Sequence, residues 1–190
     1  MSAAPAGVFL VRHAETEWTI DRRHTGRTDI PLTERGREAA RTLPAKLPHE
    51  DFALVLTSPS RRARETCELA GFGELAQVRD DLLEWDYGEY EGLTTEQILA
   101  QRPDWDMWRD GCPGGEGAAD VGARADRVIE ELRRAEGPGL VFSHGHVLRV
   151  LGARWAEMGP EQGARLALSP GAVCRLGHEH GRRVLERWSF

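Results

Sequence analysis

The sequence predicts an α/β fold built on a mostly parallel sheet, and three observations carry that prediction. Short apolar runs at Val8–Val11, Phe52–Leu56 and Leu140–Phe142 read as buried strands. Stretches with a helical apolar period separate them, at 33–47 and 118–135. Two of the runs turn abruptly polar at their carboxyl ends, into Arg12-His13 and into Ser143-His144-Gly145-His146. The carboxyl edge of an open α/β sheet is where ligands bind.

The 190 residues suffice for one domain with a substantial core, and no repeat, low-complexity tract or linker divides them. An apolar content of 40% and a charged content of 29% suit a soluble globular protein. A net charge of −6 disfavours general affinity for nucleic acid or anionic membranes, so local basic clusters carry more meaning than the total. Cys67, Cys112 and Cys174 are scattered with no C-x-x-C spacing, which fits free thiols in a reducing compartment. The opening M-S-A-A-P-A-G has no basic residue, and the apolar run after it is short, unlike a signal peptide. No apolar run approaches the roughly 20 residues of a membrane span. The expectation is a cytoplasmic protein.

In chain order, Val8–Val11 is the first strand and Thr16–Pro31 a loop dense in donors, Arg22-Arg23-His24-Thr25-Gly26-Arg27. Thr33 N-caps a helix whose apolar face is Ala39, Ala40, Leu43 and Leu47, with Pro44 and Pro48 blurring its end. After the strand Phe52–Leu56, Ser58-Pro59-Ser60 announces a helix that stops at Gly71. Its first turns carry Arg61, Arg62 and Arg64, where acids would be the ordinary choice, so an anion is expected there. Leu75–Val78 is a short third strand and Asp80–Gly92 an acidic, aromatic loop. Thr94 and Gln97 have capping-box spacing at the head of the next helix. Trp105 and Trp108 read as packing residues, as does Trp18. Ala118–Ala135 is a long amphipathic helix ended by Gly137-Pro138-Gly139, and Val147–Met158 is helical after the last polar turn. Ala164–Leu168, Ala172–Leu176 and Arg182–Trp188 read as strands, the last two a hairpin turning at His178-Glu179-His180-Gly181.

Transfer of a phosphoryl group by a histidine needs a neutral imidazole, cations for the equatorial oxygens, a proton for the leaving oxygen and then a water. The sequence offers His13 as nucleophile, and Arg12, His144 and one of Arg61, Arg62 or Arg64 for the phosphoryl group. The proton source is Glu84, Asp86 or Glu89. Tryptophan and tyrosine beside such a carboxyl favour its protonated form, and arginines oppose that. Spacing alone does not choose within either set.

R-H-A-E-T-E-W at 12–18 is similar to the R-H-G-E-T-x-W signature of the histidine phosphatase superfamily, the phosphoglycerate mutase-like proteins. The likeness continues through H-T-G-R-T-D-I-P-L-T-E-R-G at 24–36, S-P-S-R-R-A-R-E-T at 58–66, L-L-E-W-D-Y-G-E-Y-E-G at 82–92, P-G-G-E at 113–116 and F-S-H-G-H at 142–146, in family order. The resemblance implies a three-layer α/β/α sandwich, His13 as the phosphorylated nucleophile, Arg12, Arg62 and His144 on the phosphate, and Glu84 as proton donor. It also implies a phosphoryl contact from the Gly145 N–H, substrate-loop positions at Thr25 and Gly26, an active-site tyrosine at Tyr87, and no metal. Ala14 stands in place of the usual Gly, and Thr19 where many members have Asn; Thr19 remains a candidate because its hydroxyl can bond phosphate.

Other readings are plainer. His144-x-His146 lacks a third ligand for a metal. His178-x-His180 is solvated in a turn, and Arg61 and Arg64 form a basic helix face. His24 is a substrate contact or a loop residue. A phosphatase acting on small phosphomonoesters, sugar phosphates among them, is expected ahead of a cofactor-dependent mutase. The stretch Gly92–Gly115 has Arg102 and Arg109 but neither a lysine nor an adjacent arginine pair to hold a second anion and exclude water. A non-catalytic module that binds phosphorylated ligands is the third reading. Arg23, His24 and Arg27 are candidates for the far end of the substrate. The C-terminal hairpin and the tryptophans fit either a homodimer interface or the core.

Overall fold

The computed structural model describes residues 7–49 and 51–190; the opening segment read for a leader lies, but for Gly7, outside them. Strand β1 (Val8–Arg12) leads into a one-turn helix α1 (Glu17–Ile20), then α2 (Glu34–Thr42). Strand β2 (Leu54–Thr57), α3 (Arg61–Leu69) and β3 (Ala76–Val78) follow. Three helices come next, α4 (Thr95–Gln101), α5 (Met107–Asp110) and the long α6 (Ala118–Arg134). The chain then forms β4 (Gly139–Ser143), α7 (Gly145–Trp155), β5 (Val173–Glu179) and β6 (Arg182–Arg187).

The six strands lie in the order β3-β2-β4-β1-β5-β6. The first four are parallel, and β5 and β6 are antiparallel to their neighbours. Side chains alternate across the sheet, and both faces are covered, so the central strands are apolar throughout. Val8, Leu10, Leu56 and Val141 pack with α6 and α7, including Val128, Leu132, Leu148 and Trp155. Phe9, Val11, Val55 and Phe142 pack with Ala40 of α2 and Cys67 of α3. The architecture is a three-layer α/β/α sandwich with a mostly parallel sheet. Trp85, Trp105 and Trp155 are core residues, and the three cysteines are buried and free. No helix among the described residues is long and apolar enough to cross a membrane.

Three local expectations are corrected. Thr16–Pro31 is not all loop: Thr16 and Thr19 form a reciprocal capping box that starts α1. Ala164–Leu168 is not a strand; a 3-10 helix spans Pro160–Arg165. Its carbonyls at Gly163 and Ala164 each accept from Arg149, a bond from a distant helix that no local alternation reveals. His178 is not in the hairpin turn but in β5, edge-on to Trp155 with ring centroids 5.4 Å apart. The turn is His180-Gly181, both at positive φ (49° and 75°), as a two-residue hairpin of matching twist requires.

Candidate active site

Parallel pairing of β1 with β4 sets Arg12 opposite Ser143, so the next residues, His13 and His144, emerge side by side at the carboxyl edge. The His13 N–H donates to the Ser143 carbonyl at 2.8 Å, and the two imidazole centroids are 5.2 Å apart. His13 Nδ1 donates to its neighbour's carbonyl, Ala14 O, at 2.8 Å. That bond fixes the tautomer and leaves Nε2 with a free lone pair. Burial, then Arg62 and Arg12, push the His13 pKa well below its ordinary 6.5, so the ring is neutral. Ala14 is buried in the layer beneath, and its N–H donates to Thr66 Oγ1 at 3.1 Å.

Arg62 is separated from its neighbours by the fold. Arg61 and Arg64 turn outward, each beside a glutamate of their own helix, Glu65 and Glu68. Arg62 is fully buried and donates from Nε to His144 Nδ1 at 3.1 Å. Its remaining amines hold the carbonyls of Thr25, Gly26 and Thr28, each at 3.0 Å. His144 therefore keeps its proton on Nε2, which donates to Ser58 Oγ at 2.7 Å. Burial and Arg62 also hold His144 neutral, far below the usual range. Both ring nitrogens of His144 are thus committed to protein partners.

The three candidate carboxylates also differ in their surroundings. Asp86 accepts from Arg27, and Glu89 is exposed. Glu84 is buried and accepts from the N–H groups of His146 (3.0 Å) and Val147 (2.9 Å) at the start of α7, and of Trp85 (2.9 Å). A carboxylate at a helix N-terminus meets donors and a favourable dipole. Gly145, the first residue of that helix, lies against Arg12: a methyl there would stand 3.1 Å from Cζ and 3.2 Å from Nε. Arg12 donates to the Leu168 carbonyl, and its Nε is a buried donor without a partner among the described residues.

These groups floor a cavity of about 320 Å³ lined by Arg12, His13, Glu84, Tyr87, Gly145 and His146. Tyr87 shares a 2.6 Å hydrogen bond with His146 Nδ1. Burial raises the Tyr87 phenol pKa well above 10 and lowers that of His146 well below 6.5, so both are neutral.

A sequence profile of the histidine phosphatase superfamily (branch 1) matches residues 8–190. The chain belongs to the histidine phosphatase superfamily. It is 42% identical over 183 residues to an acid phosphatase of Mycobacterium tuberculosis, covering 94% of this chain and 89% of that one. It is 35% identical over 187 residues to a sedoheptulose 1,7-bisphosphatase of Saccharomyces cerevisiae, covering 81% and 69%. The solved structure of an open reading frame of M. tuberculosis superposes with a TM-score of 0.92 at 39% identity, covering 97% of each chain. The chain is accordingly an enzyme of the phosphatase type.

Within this superfamily member, the expected site residues fall into three groups. Arg12, His13, Glu84, Tyr87 and Gly145 line the cavity together with Thr19, Thr25, Arg23 and His24. The Thr19 hydroxyl accepts from the Thr16 N–H at 2.9 Å and donates to the Thr16 carbonyl at 2.7 Å within the α1 capping box. Arg62 and His144 are fully buried and do not line the cavity; four of the five Arg62 N–H donors and the His144 Nε2–H are committed to protein. Gly26 and Arg27 do not line the cavity. The Gly26 N–H donates to Glu91 at 2.9 Å, and Arg27 reaches Asp86 at 3.2 Å on the outer rim. Gly26 is there because a Cβ would stand 2.6 Å from the Trp85 carbonyl.

Two lining cations were not singled out from the sequence, Arg22 and Arg149. Arg149 sits one turn beyond Gly145 on α7, stacks on Trp108 at 4.7 Å and donates to Gly163 O and Ala164 O. An arginine four residues after Gly145, amid the apolar Val147, Leu148, Val150 and Leu151, was the available signal.

Proposed function

We propose that the chain hydrolyses small phosphomonoesters, sugar phosphates among them, through a phosphohistidine on His13. The observation that carries this reading is the state of His13: neutral, with Nδ1 tied to Ala14 O and Nε2 free at the floor of a cationic cavity. Nε2 attacks phosphorus, the bond to the ester oxygen breaks, and the Glu84 carboxyl gives its proton to that oxygen. Glu84 then takes a proton from water as the water oxygen attacks phosphorus and the N–P bond breaks. Inorganic phosphate leaves, and His13 and Glu84 are restored.

The partnerless Arg12 Nε and the Gly145 N–H suit the equatorial oxygens. Arg62 supplies positive charge from beneath, and at an effective dielectric near 20 a charge pair at 4 Å is worth about 4 kcal/mol. These arginines do the charge work, so the scheme calls for no metal. Names of relatives, an acid phosphatase and a sugar bisphosphatase, favour hydrolysis of sugar phosphates over mutase chemistry. A reducing, cytoplasmic setting is supported by three buried thiols, whose pKa values burial raises to about 12, 12 and 11 for Cys67, Cys112 and Cys174. A homodimer through the C-terminal hairpin would have to match the outer edge of β6, where Arg182, Glu186 and Arg187 are exposed; sedimentation of the purified chain decides that point.

The test is phosphate release from a panel of phosphomonoesters by the wild type and by His13→Ala, with 3-phosphoglycerate isomerisation followed in parallel. The expected result is release that needs His13, an acid-labile phosphoenzyme on rapid quenching, and no isomerisation. Isomerisation outpacing release would make the chain a mutase, and a wild type with neither would leave a binding module.

A further inference from the structure

Three helices of this protein end the same way, and the comparison isolates one residue. In each, the residue after the C-cap takes a left-handed conformation, and the next N–H reaches back into the last turn: Phe72 to Cys67 O after α3, Met158 to Ala153 O after α7, and Arg23 to Trp18 O after α1. Glycine is the residue that adopts this conformation without steric cost. After α3 the position is Gly71 at φ 85°. After α7 it is Glu157 at φ 61°, whose carboxylate pairs with Arg183 at 3.1 Å. After α1 it is Arg22 at φ 58°, with no ion pair or side-chain hydrogen bond among the described residues.

Arg22 thus occupies a glycine position with no protein partner to explain it. Its place supplies the explanation. Arg22, Arg23 and Arg149 all line the catalytic cavity, Arg22 and Arg23 exposed and Arg149 half-buried. Arg149 donates only to neutral carbonyls, so its charge is not cancelled by a carboxylate contact. Arg23 has Asp21 at 3.4 Å. The floor already has Arg12 and Arg62 for one phosphoryl group. Strain kept at a functional cleft is a pointer to function when the strained residue carries the chemistry.

We infer that Arg22, held in a strained left-handed turn at the exposed side of the cavity lining, is a specificity residue that binds a second phosphate of the substrate, with Arg149 as a second lining cation of the same cavity. The preferred substrates are bisphosphorylated polyols or sugars, in which one phosphate reaches His13 and the other stays at Arg22. This deepens the proposed phosphatase reading and rests on it.

The experiment compares kcat/KM for fructose 1,6-bisphosphate and fructose 1-phosphate, which differ only in the second phosphate. It is run on the wild type and on Arg22→Gly, Arg22→Gln and Arg22→Lys, with melting temperatures. The wild type should favour the bisphosphate. Gly and Gln should cut that preference by roughly fivefold to tenfold, the size expected for a solvent-screened charged contact. Lys should retain part of it, and raising salt should erode the wild-type preference more than that of the Gln variant. Arg22→Gly should melt no lower than the wild type, because it releases the strained turn, so lost preference cannot be assigned to misfolding. A preference unchanged in both Gly and Gln, or no wild-type preference at all, overturns the inference. Failure of the wild type to release phosphate from either compound, with no phosphoenzyme, would instead overturn the phosphatase reading.

Discussion

At the scale of single residues, the site is a set of protonation states fixed by neighbours. His13 must be neutral to attack, and its pKa is held well below 6.5 by burial and by two arginines. Activity that depends on neutral His13 therefore persists as pH falls through 6.5, where an ordinary histidine would become charged. A kcat/KM profile that drops with a pKa near 6.5 on the acid limb would contradict this state of His13. Glu84→Gln keeps a similar shape but removes the transferable proton, so kcat should fall by about 10²–10⁴-fold on esters with poor leaving groups. Para-nitrophenyl phosphate, whose leaving group needs little protonation, should lose less in the first step. Equal losses on both kinds of ester at the phosphorylation step, seen in single-turnover bursts, would argue against Glu84 as the donor.

Element geometry decides how those residues meet. The start of α7 serves Glu84 through two amides and Arg12 through the bare Cα of Gly145. Gly145→Ala would push a methyl to 3.1 Å from the guanidinium carbon of Arg12. A displacement of reacting groups on this scale can cost roughly 10²-fold in rate. The melting temperature should change little, because the contact is with the end of a side chain. Gly26→Ala is the contrasting case. Its methyl would meet the Trp85 carbonyl at 2.6 Å, and the Gly26 carbonyl anchors Arg62. Overpacking against backbone costs about 1–3 kcal/mol, so this variant should lower the melting temperature as well as activity. If Gly26→Ala proved as stable as the wild type, the close packing of this loop on Trp85 would be refuted.

For the whole molecule, three neutral histidines at and beneath one cavity tie stability to pH. His13, His144 and His146 are each pushed well below 6.5, mainly by burial. In the unfolded chain they bind protons as pH falls through about 6.5, and in the folded protein they do not until pH is far lower. The unfolded state then holds more protons, so stability is complete above pH 7 and declines on acidification. Each histidine contributes a slope of up to about 1.4 kcal/mol per pH unit below its unfolded pKa. Denaturant midpoints measured from pH 7.5 to 5 should fall accordingly, and His146→Gln should make the decline shallower. Midpoints that stay level over that range would mean these rings are charged or solvated in the folded protein.

What the sequence determined alone was the order of apolar runs, their polar carboxyl ends and the caps at Thr33 and Thr94. Those features are local: a strand's burial, a helix's period and a capping hydroxyl are written within a few residues. From them came the parallel sheet and the pairing of Arg12-His13 with His144 at one edge, which β1 and β4 then realise. Arg62 was singled out from Arg61 and Arg64, and Glu84 from Asp86 and Glu89, by resemblance; the fold buries Arg62 and Glu84, while Arg61 and Arg64 pair with glutamates of their own helix, Asp86 is half-buried against Arg27 and Glu89 is exposed. The presence of Arg22 and Arg149 in the cavity lining, the 3-10 turn at 160–165 and the pairing of Arg27 with Asp86 came only from the tertiary structure. The reason is physical: an arginine reads the same at every position, and its task is set by which carbonyl, carboxylate or cavity comes within reach of the folded side chain.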